Sequence, residues 1–107
     1  MVMQAAMTFE ALADPTRRAL LDRLRGGGPM SLTQLAERLP MTRQAVTKHL
    51  DALRRAGLVA VTRRGRERLH ALNAAPLREV DDWLAPYAAA WDERLLRLQA
   101  HLEEAPE

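Results

Sequence analysis

The chain has 107 residues, 48% of them hydrophobic, and no cysteine, which fits one domain with an ordinary core. The absence of cysteine excludes disulfides, thiolate metal sites and a cysteine nucleophile, and we expect a cytoplasmic protein. No apolar run is long enough for a membrane span and no secretory signal is visible, so no membrane partner is expected. Residues 31–73 carry nine basic and three acidic side chains, whereas residues 74–107 carry three basic and eight acidic ones. This asymmetry indicates one surface that faces a polyanion.

Two helices are predicted in the first quarter of the chain. Apolar residues from Met3 to Leu12 recur at spacings of three and four, which predicts a helix over residues 3–13. Asp14 is a favourable N-cap and Pro15 a favourable first residue for a second helix. The glycines and proline of Gly26–Pro29 should end that second helix.

The next segment has the pattern of a helix-turn-helix. Ser31 and Gln34 have the spacing of a capping box, which predicts a helix that continues to about Leu39. Thr42 should cap a further helix that continues to about Ala56. Two short helices joined by so tight a turn predict a helix-turn-helix over residues 31–56.

A β-hairpin, or wing, is predicted over residues 58–72. Two β-rich segments flank Gly65, which can adopt a positive φ at a tight turn without steric cost. Several arginines and a single acid, Glu67, lie at this turn, so the positive charges at the tip repel one another unless an anion is near. Either the tip solubilises the sheet edge or it contacts DNA, and the neighbouring helix-turn-helix favours DNA.

The last predicted helix spans residues 77–103 and carries an apolar stripe with nearly heptad spacing. Pro86 lies inside it and should kink or split the helix near residues 82–85. Together with the first helix, this stripe exposes more apolar surface than a monomer of this size leaves in water, so we predict a homodimer. The predicted dimer-interface residues are Met3, Met7, Phe9, Leu77, Val80, Trp83, Leu84, Tyr87, Trp91, Leu95, Leu98 and Leu102.

The helix that begins after Thr42 has two chemically different faces. Val46, Leu50 and Leu53 are apolar and should face the core, while the opposite face is polar at its N-terminal end. In helix-turn-helix proteins that end enters the major groove, where Arg, Gln and Thr can contact base edges. The predicted DNA-binding residues on helix and wing are Thr42, Arg43, Gln44, Thr47, Lys48, His49, Arg63, Arg64, Arg66 and Arg68.

Five segments in order resemble the ArsR/SmtB family of winged-helix repressors: residues 13–18, 34–36, 42–50, 53–59 and 64–67. The resemblance extends over about residues 8–103. It implies a mainly α fold with a small β-hairpin, in which N- and C-terminal helices dimerise. It also implies a homodimer that binds a palindromic operator in double-stranded DNA and represses transcription.

The chain differs from the metal-sensing members of the family that it resembles, because it has no cysteine ligands. Another zinc site of that family combines residues from the two ends of the last helix. His101 and Glu104 could supply the C-terminal part, but no histidine follows Asp81 and Asp82 to complete the other part. Zinc prefers nitrogen-rich ligand sets, so we expect no metal and no cofactor. No nucleophile, acid–base pair or nucleotide loop indicates an enzyme, and no pattern identifies a small-molecule or protein inducer.

Two alternatives remain at this point. A winged helix can act as a protein-interaction module without specific DNA binding, although the basic wing and the polar helix face favour DNA. MarR-type regulators share the winged helix, but those chains are usually longer and carry more helix on both flanks.

Overall fold

The computed structural model describes residues 2–104, and side chains from residue 5 onward. Five helices and a two-stranded antiparallel sheet follow one another along the chain, which gives a mainly α fold with one hairpin. Their bounds are α1 Val2–Leu12, α2 Pro15–Gly27, α3 Leu32–Ala36, α4 Arg43–Arg55, β1 Val59–Arg64, β2 Glu67–Leu72 and α5 Leu77–Glu104.

The boundary between α1 and α2 is set by the predicted cap. The Asp14 carboxylate accepts hydrogen bonds from the backbone N–H groups of Thr16 and Arg17, at 2.7 and 3.1 Å. Helix α2 continues two residues into the glycine run, and Gly28 ends it with a φ of 73°. The first two glycines still fit the helical turn, and the helix ends within the predicted segment, where the third adopts a positive φ.

Helix α3 begins with the predicted capping box of Ser31 and Gln34. It ends at Ala36, three residues earlier than the sequence predicts. The guanidinium of Arg23 on α2 donates to the carbonyls of Gln34 and Leu35, at 3.0 and 2.7 Å. These carbonyls would otherwise continue the α-helical ladder, and the N–H of Leu39 instead bonds the carbonyl of Ala36. A tertiary contact therefore shortens this helix.

The two strands pair in register from Val59 opposite Leu72 to Arg64 opposite Glu67. Gly65 has a φ of 63° in the intervening two-residue turn, which confirms the predicted role of that glycine. Met30 forms an isolated bridge to β2, with backbone hydrogen bonds of 2.9 and 2.7 Å to His70. The base of the hairpin is thus tied to the segment that precedes α3.

Helix α5 is continuous from residue 77 to residue 104, so of the predicted kink or split at Pro86 the split does not occur. A proline removes one backbone donor and crowds the carbonyl four residues earlier. In a helix of 28 residues the remaining ladder on both sides still holds the segment together. No helix among residues 2–104 combines the length and apolar character that crossing a membrane requires.

The buried side chains form one cluster between α2, α3, α4 and the base of the wing. Leu20 and Leu35 are fully buried there with Val46 and Leu53 of α4. Helix α5 contributes its first residue, Leu77, to the edge of this cluster and packs along α1. From residue 81 onward every described residue of α5 is exposed.

Candidate nucleic-acid interface

Helix α4 presents the predicted two faces. Its buried side is anchored in the core, while Arg43, Gln44, Thr47 and Lys48 are exposed and, with Leu32, line one shallow hollow. The Thr42 hydroxyl accepts a hydrogen bond of 3.1 Å from the N–H of Ala45, so it acts as the predicted N-cap. The cap fixes the first turn of α4, which carries the polar side chains at the end that a helix-turn-helix directs to DNA.

Arg43 has a defined position in this first turn. One of its terminal guanidinium nitrogens, Nη2, donates to the hydroxyl of Thr33 on α3, at 3.1 Å. Within residues 5–104 no carboxylate forms an ion pair with Arg43. Of its five N–H donors, one is occupied by the Thr33 hydroxyl, and none forms an ion pair with a carboxylate of the described chain. No local pattern indicates the Thr33 contact, because it joins two helices.

The wing distributes its four arginines unevenly. Arg63 lies directly opposite Arg68 across the hairpin, whereas Arg64 lies opposite Glu67. Residues directly opposite each other share a face of the sheet, and like charges in such a pair repel. Arg66 lies in the turn, next to Gly65. The tip therefore has one arginine opposite an acid, and its other three arginines have no acid opposite them in the register.

A groove joins the wing to the helix-turn-helix. It has a volume of about 480 Å³ and lies between the α3–α4 pair and the hairpin tip. Its lining residues are Ser31, Leu32, Thr33, Gln34, Arg43, Arg66, Glu67 and Arg68. A second hollow, of about 400 Å³, brings Thr47 of α4 and Arg68 to a common wall. The helix and the wing, predicted separately, thus form one continuous basic edge.

His49, predicted as a DNA contact, is not among the residues that line these grooves and contacts the start of α2. Its Nδ1 atom lies 3.4 Å from the donating Nε of Arg17 and 4.0 Å from a carboxylate oxygen of Asp14. Residue 49 is half-buried and lies three residues after buried Val46 and four before buried Leu53, so it borders the core face of α4. The sequence could not indicate this, because Asp14 and Arg17 are more than thirty residues away.

Asp14 is the one group in this part of the chain with a clear shift. The hydrogen bond from the Arg17 backbone N–H lowers the pKa of Asp14, and the Thr16 N–H and the charges of His49 and Arg17 add to this effect. Desolvation opposes them, and the pKa stays below its ordinary value. The cap of α2 is therefore a stable carboxylate at neutral pH, next to the His49 ring.

The predicted dimer residues divide into two groups. Met7, Leu77 and Val80 are half-buried, and the first two pack against the core of the chain. Phe9 and Trp83 meet edge to face, with ring centroids 5.3 Å apart, and Tyr87 lies 5.0 Å from Trp83. The side chain of Met3 lies outside the described residues. The exposed residues of the predicted dimer interface are Phe9 on α1 and, on α5, Trp83, Leu84, Tyr87, Trp91, Leu95, Leu98 and Leu102.

One exposed apolar residue of α5 was not part of the predicted stripe. Leu96 is 66% exposed, as much as Leu102 at 65%. At about 100° per residue it lies roughly 120° around the helix from Leu102. The exposed apolar surface thus comprises one stripe and an isolated leucine away from it.

The residues considered for metal binding do not assemble into a site. His101 and Glu104 lie in the last turns of α5, whereas Asp81 and Asp82 lie near its beginning. Across the described part of the chain, no three His, Cys, Asp or Glu side chains converge closely enough to hold an ion.

The chain matches known regulators over most of its length. The profile of a helix-turn-helix domain family matches residues 12–62. The transcriptional repressor SdpR of Bacillus subtilis is 31% identical over 87 residues, which cover 81% of this chain and 96% of SdpR.

Two solved structures share the fold. An ArsR-like transcriptional regulator from Rhodococcus sp. RHA1 is 38% identical with a TM-score of 0.71, and the match covers 97% of each chain. A homodimeric winged helix-turn-helix DNA-binding domain from Mycobacterium bovis is 26% identical with a TM-score of 0.63, covering 88% of this chain and 83% of that one. These matches favour a DNA-binding regulator over an interaction module or an enzyme, and the protein belongs to the ArsR family of winged helix-turn-helix transcriptional regulators.

Proposed function

We propose that this chain is a single-domain, cytoplasmic repressor that binds a palindromic operator as a homodimer. The observation that carries the proposal is the pairing of two surfaces on one molecule. One is the basic edge formed by α4 and the wing, and the other is the exposed apolar stripe along α5.

The apolar stripe supports the homodimer. Trp91 is 62% exposed and Leu98 is 55% exposed on a helix that projects past the core. A contiguous apolar stripe of this length is unfavourable in water and characteristic of an interface. Large aromatic side chains such as Trp83 and Trp91 supply most of the binding energy in many interfaces. The Mycobacterium bovis domain of the same fold is homodimeric, which favours the same assembly here.

A two-fold dimer leads to a palindromic operator. Two copies related by a dyad present two identical basic edges, and half-sites about one helical turn apart match such a pair. We propose that Arg43, Gln44 and Thr47 contact base edges, while Lys48 and the wing arginines contact phosphates. A dimer bound across a promoter excludes polymerase, and the relative SdpR is a repressor.

The experiment is a footprint combined with a mass measurement. The duplex bound best in a selection from random sequences is footprinted, and the mass of the complex is measured by light scattering. We expect two protected half-sites and two chains per duplex. One chain on a single protected site would contradict both the dimer and the palindrome. Tight binding of every duplex alike would contradict a specific operator.

A further inference from the structure

The contact between Thr33 and Arg43 assigns a role to a residue outside the predicted DNA-binding set. Both side chains are exposed, and one guanidinium nitrogen of Arg43 donates to the Thr33 hydroxyl at 3.1 Å. We propose that Thr33 is a positioning residue, whose hydroxyl holds the Arg43 guanidinium in the orientation in which it meets DNA. This inference rests on the proposed function, because it takes Arg43 to be a DNA contact.

The choice of a neutral acceptor supports this role. A carboxylate at position 33 would neutralise Arg43 and compete with DNA for its donors, whereas a hydroxyl occupies one donor and leaves the charge intact. The other donors remain available for a guanine edge or a phosphate. Arg66, Glu67 and Arg68 of the wing line the same groove, and the Glu67 carboxylate forms no ion pair with Arg43.

Thr33 is itself held on a rigid element. The capping box of Ser31 and Gln34 closes the first turn of α3 on both sides of Thr33. Arg23 then ties the carbonyls of Gln34 and Leu35 to α2. The acceptor for Arg43 is therefore fixed relative to the core and to the start of α4.

Ordering the Arg43 side chain in the free protein should raise its affinity for the operator. Arginine loses considerable rotamer freedom when it is ordered, and a contact already present in the free protein reduces that loss on binding. Thr33→Val keeps the shape of the side chain but removes the acceptor. We expect it to lower operator affinity by about three- to tenfold, the effect of one hydrogen bond. Thr33→Ser keeps the hydroxyl and should restore most of the affinity.

The test is a double-mutant cycle on the selected operator, with Thr33→Val, Arg43→Ala and the double variant. Thr16→Val on α2 is the matched control, and unfolding midpoints verify that each variant folds. We expect the double variant to bind like Arg43→Ala alone. In the free protein, NMR relaxation of the Arg43 side-chain Nε–H group should show greater mobility in Thr33→Val and no change in Thr16→Val.

Two outcomes would overturn the inference. In the first, Thr33→Val weakens binding equally with and without Arg43, so Thr33 contacts DNA by itself. In the second, Thr33→Val leaves both the affinity and the Arg43 resonance unchanged. Both leave the proposed function standing, because wild type still binds the operator. Failure of wild type to prefer any duplex would instead overturn the proposed function, and the inference with it.

Discussion

Arg63 and Arg68 lie directly opposite each other across the wing, while neighbouring Arg64 lies opposite Glu67. The hairpin register thus places one like-charge pair and one opposite-charge pair within two residues of the same turn, although Arg64 and Glu67 form no ion pair within 4.0 Å. Repulsion of this kind is unfavourable for the isolated hairpin and is relieved when a phosphate approaches.

This relationship predicts opposite effects of two matched substitutions on stability. Arg68→Gln should raise the free energy of unfolding by about 0.2–0.5 kcal/mol, and Arg64→Gln should lower it by a similar amount. Both variants should bind DNA more weakly than wild type, because each removes a positive charge. Urea unfolding and DNA titration measure the two effects. A change of the same sign in the two stabilities would contradict the pairing argument.

The apolar stripe predicts a second matched pair. Leu98→Glu places a charge on the proposed dimer face and should produce a monomer at micromolar concentration. Operator affinity should then fall on the order of tenfold or more. Leu96→Glu, on the same helix but off the stripe, should remain a dimer with normal affinity. Light scattering decides between them. A Leu98→Glu dimer, or a monomeric Leu96→Glu, would show that another surface pairs the chains.

The cap of α2 predicts a dependence on acid. Because the folded-state pKa of Asp14 is lowered, its carboxylate stabilises the fold above the ordinary value of 3.8, and this contribution is lost as pH falls through the lowered pKa. Asp14→Asn keeps a capping oxygen but does not titrate. Wild type should therefore be more stable than Asp14→Asn at pH 7, and this advantage should be smaller at pH 3, below the ordinary value. An equal difference in urea midpoint at both pH values would contradict this.

The chain should bind its operator without a metal ion. It has no cysteine, and within residues 5–104 no set of His and carboxylate side chains converges on one point. EDTA should leave operator affinity unchanged, and added zinc should change it less than about threefold once non-specific effects are matched in scrambled DNA. Zinc that co-purifies in stoichiometric amount, with a more than tenfold change on its removal, would refute this prediction.

Local signals predicted much of this fold. Asp14, the Ser31–Gln34 pair and Thr42 all cap helices as expected, and Gly65 takes a positive φ at the wing turn. Each of these depends on residues within a few positions along the chain, so the sequence alone contains the information.

Contacts between distant residues account for what the sequence did not predict. Arg23 binds the carbonyls of Gln34 and Leu35 where α3 ends early, and Asp14 and Arg17 contact His49. The sequence does not indicate the hydrogen bond between Thr33 and Arg43, because it joins side chains of two helices. The sequence leaves a kink or a split at Pro86 open, because the local penalty of a proline does not show how far the full length of α5 offsets it.

The central claim is that α4 identifies the operator while the wing holds the phosphate backbone. Its most direct test titrates wild type, Gln44→Ala and Arg66→Ala against operator and scrambled duplexes at several salt concentrations.

Gln44→Ala should cost about 1–3 kcal/mol on the operator and little on scrambled DNA, with an unchanged salt slope. Arg66→Ala should weaken both DNAs and reduce the slope of log K against log salt by about one unit. A wing arginine inserted into a narrow minor groove would also cost some specificity while still reducing the slope. Equal losses on both DNAs for Gln44→Ala, together with an operator-only loss for Arg66→Ala, would contradict the account and make the wing the element that reads sequence.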